Sequence, residues 1–256
     1  ILAILFALFA SLAAFGIGAS TQSNSLADAL YNTSLIDGKA IPQWLVGAVV
    51  VALVAIVILG GIKSISKVCE KLVPVMAVFY VVCCLIIIGM NGQFLGEAIR
   101  QIIVGAFTPA GAAGGAVGST ITLALQFGFK RGIFSNESGL GSAPLVASSA
   151  TTKNPARQAL VSMTGTFWDT VVVCAITGLM LMTTLLANPE LSTAIANGTI
   201  SSGAGLATAA FEKIPVFGPL VLLIGLVTFA YSTILGWSQY GNRAISYLLG
   251  KKAVLP

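Results

Sequence analysis

Six stretches of apolar residues, each long enough to cross a bilayer and each set off by a short polar segment, leave this chain few ways to fold. A helix needs about 20 predominantly apolar residues to span the hydrocarbon. Regions 1–30, 44–62, 72–90, 111–150, 155–187 and 215–247 meet that need. Their runs are continuous rather than alternating, which favours helices over a β-barrel. Only 8% of residues are charged and 57% are hydrophobic. A soluble domain carries roughly 25% charge, so these few ions cannot cover a water-exposed surface. A disordered chain is excluded too, because disorder requires polar, charged composition. The expected fold is all-α: a polytopic helix bundle whose partner is the lipid bilayer.

Several chemistries drop out. The chain has no histidine, which removes Ser-His-Asp and Cys-His catalysis, imidazole metal ligands and histidine proton relays. Of the four cysteines, Cys69, Cys83, Cys84 and Cys174, three sit in apolar runs and none makes a CxxC pair. They suggest neither a zinc site nor a disulfide framework. The net charge of +5 is not gathered into one patch, so no nucleic-acid partner is expected. No enzyme and no resident cofactor are expected either. The chain opens on Ile1, inside an apolar run without methionine or a basic leader. The expectation is a single transmembrane domain, 1–256, incomplete at both ends.

The punctuation is regular. Asn154-Pro155 offers an N-cap followed by proline at the first helical position. Pro42 precedes the second span and Pro215 opens the sixth. Segment 94–104 is amphipathic and predicts a short interfacial helix. The polar stretch 187–213 reads as an extramembrane loop with a short helix at 205–211. Basic residues set orientation. Loops 63–71, 151–157 and 243–256 hold Lys63, Lys67, Lys71, Lys153, Arg157, Arg243, Lys251 and Lys252 against one acid, Glu70. The alternate loops hold Lys39, Arg100 and Lys213 against Asp28, Asp37, Glu97, Glu190 and Glu212. Alternation over six crossings places the first three loops in the cytoplasm, with the protein in a cell inner (plasma) membrane.

The fourth region is unlike the others. Between apolar flanks it reads Gly128-Phe129-Lys130-Arg131-Gly132-Ile133-Phe134-Ser135-Asn136-Glu137-Ser138-Gly139-Leu140-Gly141. An ion at the bilayer centre costs at least about 2.5–3.5 kcal/mol, and non-helical backbone at that depth must be covered by protein or water. A helix broken at the glycines meets both demands. The half-helix starting near Ser135 or Asn136, either of which can cap it, would aim its positive end at an anionic group. The half ending near Phe129 would offer carbonyls to a cation. The competing reading is a re-entrant or cytoplasmic loop between two shorter helices. Arg131, Glu137 and Asp169 are expected to form structural ion pairs within the bundle. Asp169 can alternatively stabilise a cation or relay a proton. Discontinuous helices are the best sequence pointer to a secondary transporter's site.

Other polar residues lie at membrane depth. The Gln22 amide serves either a ligand or a neighbouring helix. Ser232 and Thr233 are adjacent hydroxyls that either hold a hard cation, which prefers oxygen ligands, or bond back to their own helix. Trp237 either walls a pocket or anchors the interface.

Motif Arg131–Pro144, RGIFSNESGLGSAP, resembles the alanine/glycine:cation symporter family. Segments FGIGASTQSNS (15–25), VILGGIK, EKLVPVMAVFY, FWDTVVVCAITGL (167–179) and FAYSTILGWSQYG (229–241) extend the resemblance along the chain. Ala19, Ser138, Gln239 and Asn242 depart from the residues usual there. The resemblance implies a LeuT-type fold of inverted repeats, of which helices three to eight are present. It also implies symport of alanine or glycine with sodium, or with protons in some members. On it rest the expected substrate contacts, Gln22, Phe129, Gly132, Ile133, Ser135, Asn136 and Trp237, and the expected sodium ligands, Ser232 and Thr233. Alternatives are a passive channel through the glycine-rich gap and an intramembrane hydrolase pairing Asp169 with Glu137. The latter needs two acids sharing a proton, which the glycine-rich setting of Glu137 does not favour.

Overall fold

The computed structural model describes residues 1–32, 42–107, 136–137, 140–198, 203–213 and 218–254. Among these the regular structure is helical. In chain order the helices are α1 (Leu2–Ala13), α2 (Gln22–Asn32), α3 (Gln43–Leu59), α4 (Gly61–Met90), α5 (Leu95–Phe107), α6 (Ala143–Ala147), α7 (Pro155–Thr166), α8 (Ala175–Ala187), α9 (Pro189–Ala196), α10 (Gly203–Phe211) and α11 (Gly218–Leu249). Two π-helical stretches, Ala14–Thr21 and Phe167–Cys174, join α1 to α2 and α7 to α8 without a break. Four continuous helical segments are long and apolar enough to cross a membrane: Leu2–Ala27, Gly61–Met90, Pro155–Ala187 and Leu220–Leu249. Helix α3 is shorter, at 17 residues, which is about 25 Å at 1.5 Å per residue. Large apolar side chains such as Phe9, Leu12, Val51, Ile56 and Leu160 stand exposed on these helices. In water so broad an apolar surface would drive association; in lipid it is the solvated face.

The chain divides into two compact units: Ile1–Phe79 with Pro144–Ser149 and Leu220–Pro256, and Tyr80–Ala143 with Ala150–Pro219. In the first unit, α11 is the central post. Its Ala230 packs with Leu26 of α2 and Val46 of α3. Its Leu235 packs with Val57 of α3 and Ile65 of α4. The Tyr231 hydroxyl donates to the Leu53 carbonyl at 3.0 Å. Arg243, near the end of α11, donates to the Ser149 hydroxyl.

Segment 63–71, expected as a loop, is the start of α4. The turn from α3 needs only Gly60 and Gly61, and Gly61 takes φ +67°, which a side chain would strain. The segment is amphipathic. Ile65, Val68 and Cys69 face the core of the first unit, while Lys63, Lys67 and Lys71, four residues apart, are exposed. Pro74 lies inside the helix and leaves the Glu70 carbonyl without its helical donor, close to where the apolar run starts.

In the second unit Asn154 caps α7 as the sequence indicates: its side chain accepts the Ala156 N–H at 2.9 Å, with Pro155 at the first helical position. The Tyr80 hydroxyl, near the centre of α4, is hydrogen-bonded to Thr177 of α8 at 2.8 Å, and its ring lies 6.1 Å from that of Phe211. Thr183 and Thr184 are fully buried, their hydroxyls bonded to carbonyls of their own helix. The amphipathic segment predicted at 94–104 is α5, and the polar stretch 187–213 holds a second short helix, α9, besides the expected one.

The described residues contain two ion pairs, Arg100–Glu97 at 2.7 Å and Lys213–Glu190 at 2.9 Å. Both neutralise basic residues of the acid-rich loops. The hydrogen bond from Arg100, with a second from Gln101, pulls the Glu97 carboxyl down to about 2. A depressed folded-state value means the pair's stabilisation is present above the ordinary carboxylate range and is lost as pH falls through about 2. Arg100→Gln should therefore return the Glu97 titration, followed by the 13C shift of its labelled carboxyl, towards the ordinary value near 4.5.

Candidate transport site

The two π-helical stretches carry the polar residues of interest. In the first, the hydroxyls of Ser20 and Thr21 donate to carbonyls five residues back, those of Phe15 and Gly16, each at 3.3 Å. This is the wider π register, which is frequent at functional sites. Each extra residue in such a turn rotates everything after it by about 100°.

That rotation settles what the first span presents to α11. Gly18 is buried directly against Trp237. A Cβ built on Gly18 would collide with the Trp237 Cβ and Cγ. One turn earlier, a Cβ on Gly241 would stand 3.1 Å from the Ala14 Cβ. Two turns later, Leu26 packs against Ala230. The two helices therefore run antiparallel, with Ala14 beside Gly241, Gly18 beside Trp237 and Leu26 beside Ala230. Gln22 lies midway in the chain between Gly18 and Leu26, and Thr233 and Ile234 lie midway between Ala230 and Trp237. Gln22 is half-buried and Thr233 likewise. Of the expected residues, the seam holds Trp237 in contact, while Gln22 and Thr233 lie on the two helices between these contacts. The Trp237 ring is itself held edge-on by Tyr240, with centroids 5.1 Å apart.

Gly18 was not among the residues expected at the site. Its signal was the glycine spacing in FGIGAS, but only the π register shows which of the two glycines meets α11. Gly16 has open space around it.

Thr233 donates its hydroxyl to the Phe229 carbonyl at 2.8 Å. The Ser232 hydroxyl lies within reach of the same carbonyl at 2.9 Å and of the Met76 sulfur of α4 at 3.7 Å. Each proton is committed to a protein acceptor, so the oxygen lone pairs remain to be offered elsewhere. Among the described residues no group of three or more His, Cys, Asp or Glu is placed to hold an ion.

In the second unit Asn136 meets Thr170 on the second π-helical stretch. The amide Nδ2 donates to the threonine oxygen at 2.9 Å, and that hydroxyl stands 3.1 Å from the amide Oδ1. The neighbouring Glu137 accepts from the buried Ser142 hydroxyl at 3.0 Å. Asp169 accepts from the Cys174 thiol at 3.9 Å. Phe129, Arg131, Gly132, Ile133 and Ser135 lie outside the described residues, and with them the break in the fourth region and the expected pairing of Arg131 with Glu137 and Asp169.

Residues 1–256 match the profile described as the sodium:alanine symporter family. Over 255 residues the chain is 47% identical to the sodium/alanine symporter AgcS of Methanococcus maripaludis, covering 99% of this chain and 53% of that protein. It is 34% identical over 255 residues to the putative sodium/proton-dependent alanine carrier protein YrbD of Bacillus subtilis, covering 96% and 50%. It is likewise 34% identical over 254 residues to the probable sodium/glutamine symporter GlnT of the same organism, covering 97% and 49%. The chain spans about half the length of these curated relatives.

Proposed function

Because this chain belongs to the sodium:alanine symporter family, we propose that its full-length protein carries a small neutral amino acid, alanine or glycine, into the cell together with sodium. Transport proceeds by alternating access in a LeuT-type fold. The protein sits in the cell inner membrane, with segments 63–71, 151–157 and 243–256 cytoplasmic. The excess of lysine and arginine in those three segments over the alternate loops, which hold Lys39, Arg100 and Lys213, supports that orientation.

The observation that carries the reading is the seam between the first span and α11. It holds Trp237 against Gly18, and the half-buried Gln22 and Thr233 belong to the same two helices. The Gln22 amide can donate to a substrate carboxylate or accept from an ammonium. The Trp237 ring limits side-chain size. Ser232 and Thr233 supply neutral oxygens to sodium, with backbone carbonyls completing the shell. In the second unit, Asn136 offers an amide to the substrate, and Glu137 and Asp169 hold structure rather than charge in transit. Phe129, Gly132, Ile133 and Ser135 contribute the remaining contacts in this reading.

Coupling requires that sodium and substrate bind one state of the carrier more tightly than the other. An ion that bridges Thr233 to the first span rigidifies the seam and so favours the substrate-ready state. One sodium moving down 100 mV releases about 2.3 kcal/mol, enough for roughly fifty-fold accumulation of a neutral substrate.

Alanine uptake by the full-length protein in proteoliposomes tests this. Uptake is expected to require an inward sodium gradient and to concentrate alanine. Uptake driven equally by a proton gradient without sodium would favour the proton-coupled alternative, to which the name of YrbD also points. Equilibration without any gradient would indicate a passive channel and reject the proposal.

A further inference from the structure

We propose that Thr170 and Ser142 are positioning residues, which clamp Asn136 and Glu137 so that the Asn136 amide is held ready for the substrate. The inference rests on the function proposed above.

The threonines of the span that carries Thr170 show what is unusual. Thr164, Thr177, Thr183 and Thr184 each turn the hydroxyl back to a carbonyl of their own helix, at 2.7, 2.7, 2.9 and 2.8 Å. That is the usual habit of a threonine in a membrane helix. Thr170 instead bonds to Asn136, 34 residues away in sequence. It stands in the π-helical stretch Phe167–Cys174, where the widened turn changes which carbonyls a side chain can reach. Its oxygen touches both ends of the amide. An amide gripped in this way cannot rotate freely.

The second grip acts on the next residue. Glu137 is the one non-glycine among the described residues with positive φ, at +53°. A side chain in that region is strained and stays there only where the surroundings over-determine it. The buried Ser142 hydroxyl, five residues on, supplies such a constraint by donating to the Glu137 carboxylate. The glycine before it, Gly141, takes φ +81° and turns the chain into α6. Thr170 thus fixes the amide and Ser142 fixes the strained residue beside it. A preordered amide loses less freedom when substrate arrives, which tightens binding without adding a contact.

The test uses the full-length protein in lipid nanodiscs and proteoliposomes. Thr170→Val keeps the side-chain shape and removes the oxygen. It is expected to raise the half-saturating alanine concentration about tenfold, and to speed amide hydrogen exchange at Asn136 and Glu137 while the described helices keep their protection. Thr170→Ser should restore both to within about twofold. Ser142→Ala should act in the same direction. In a double-mutant cycle, Thr170→Val should add little to Asn136→Ala, because it works through that amide. A merely structural threonine would lower thermal stability and add fully to Asn136→Ala. If Thr170→Val fails to assemble, Thr170→Ala read by hydrogen exchange takes its place. Unchanged exchange, unchanged half-saturation, or full additivity overturns the clamp. Wild-type uptake without a gradient would instead remove the proposed function, while the exchange readout would still report on the turn.

Discussion

Gly18→Leu should abolish assembly of the full-length protein. The first span and α11 approach so closely that even a single carbon on Gly18 would fall on the Cβ of Trp237. That atom is fixed to the α11 backbone, so no rotamer change moves it away. Overpacking a filled site typically costs about 1–3 kcal/mol, and a branched side chain at a backbone-tight crossing lies at or above the upper end. Folded proteins have only about 5–15 kcal/mol in hand. Gly18→Ala should be the graded version, lowering the midpoint of thermal unfolding in detergent by several degrees and reducing the monodisperse fraction in size exclusion. The cause is checked by adding Trp237→Gly to Gly18→Ala. Measured in the Trp237→Gly background, Gly18→Ala should cost less than it does in the wild type, because the opposing Cβ is gone. Normal folding of Gly18→Leu would mean that the helices do not cross here.

Thr233→Val should raise the sodium concentration for half-maximal alanine uptake by about tenfold or more, equivalent to at least about 1.4 kcal/mol of ion binding. Valine matches threonine in shape and lacks the oxygen. The hydrogen bond to the Phe229 carbonyl is lost as well, but a bond of this kind is worth only about 0.5–1.5 kcal/mol net, so the helix should stay folded. Thr233→Ser keeps the oxygen and should stay near wild type. Ser232→Ala should weaken sodium in the same direction, because its hydroxyl shares the Phe229 carbonyl. The measurement is uptake as a function of sodium at fixed alanine, with thermal stability followed in parallel. Unaltered sodium dependence in both variants would remove this pair from the ion site.

These two expectations came by different routes. Ser232 and Thr233 are visible in the sequence as adjacent hydroxyls inside an apolar run, with Trp237 one turn on. Nothing local tells whether such hydroxyls serve an ion or only their own helix. The structure has them bonded to the Phe229 carbonyl, the usual arrangement, so the ion role draws its support from the site around them. Gly18 was legible only as one of two glycines in FGIGAS. In an ideal α-helix Gly16 and Gly18 would lie on opposite sides, and a sequence does not say which side is covered. The start of α4 was misread because three lysines in nine residues look like a loop. Their spacing of four puts them on one face, and Ile65 and Val68 on the opposite face hold the segment to α3 and α11.

By itself the sequence determined the class of the protein: a chain of membrane helices without histidine chemistry, with the cap at Asn154 and a set of polar residues at membrane depth. Length, hydropathy and capping are local quantities, and water or lipid responds to them wherever the chain goes. Only the tertiary structure decided that Gly18 yields its space to Trp237, and that Thr170 reaches Asn136 rather than its own carbonyls. Those facts depend on the register between helices far apart in sequence and on two π-helical stretches that turn the following residues. Wide and ordinary helical turns are built from the same residues, so the choice between them falls to packing.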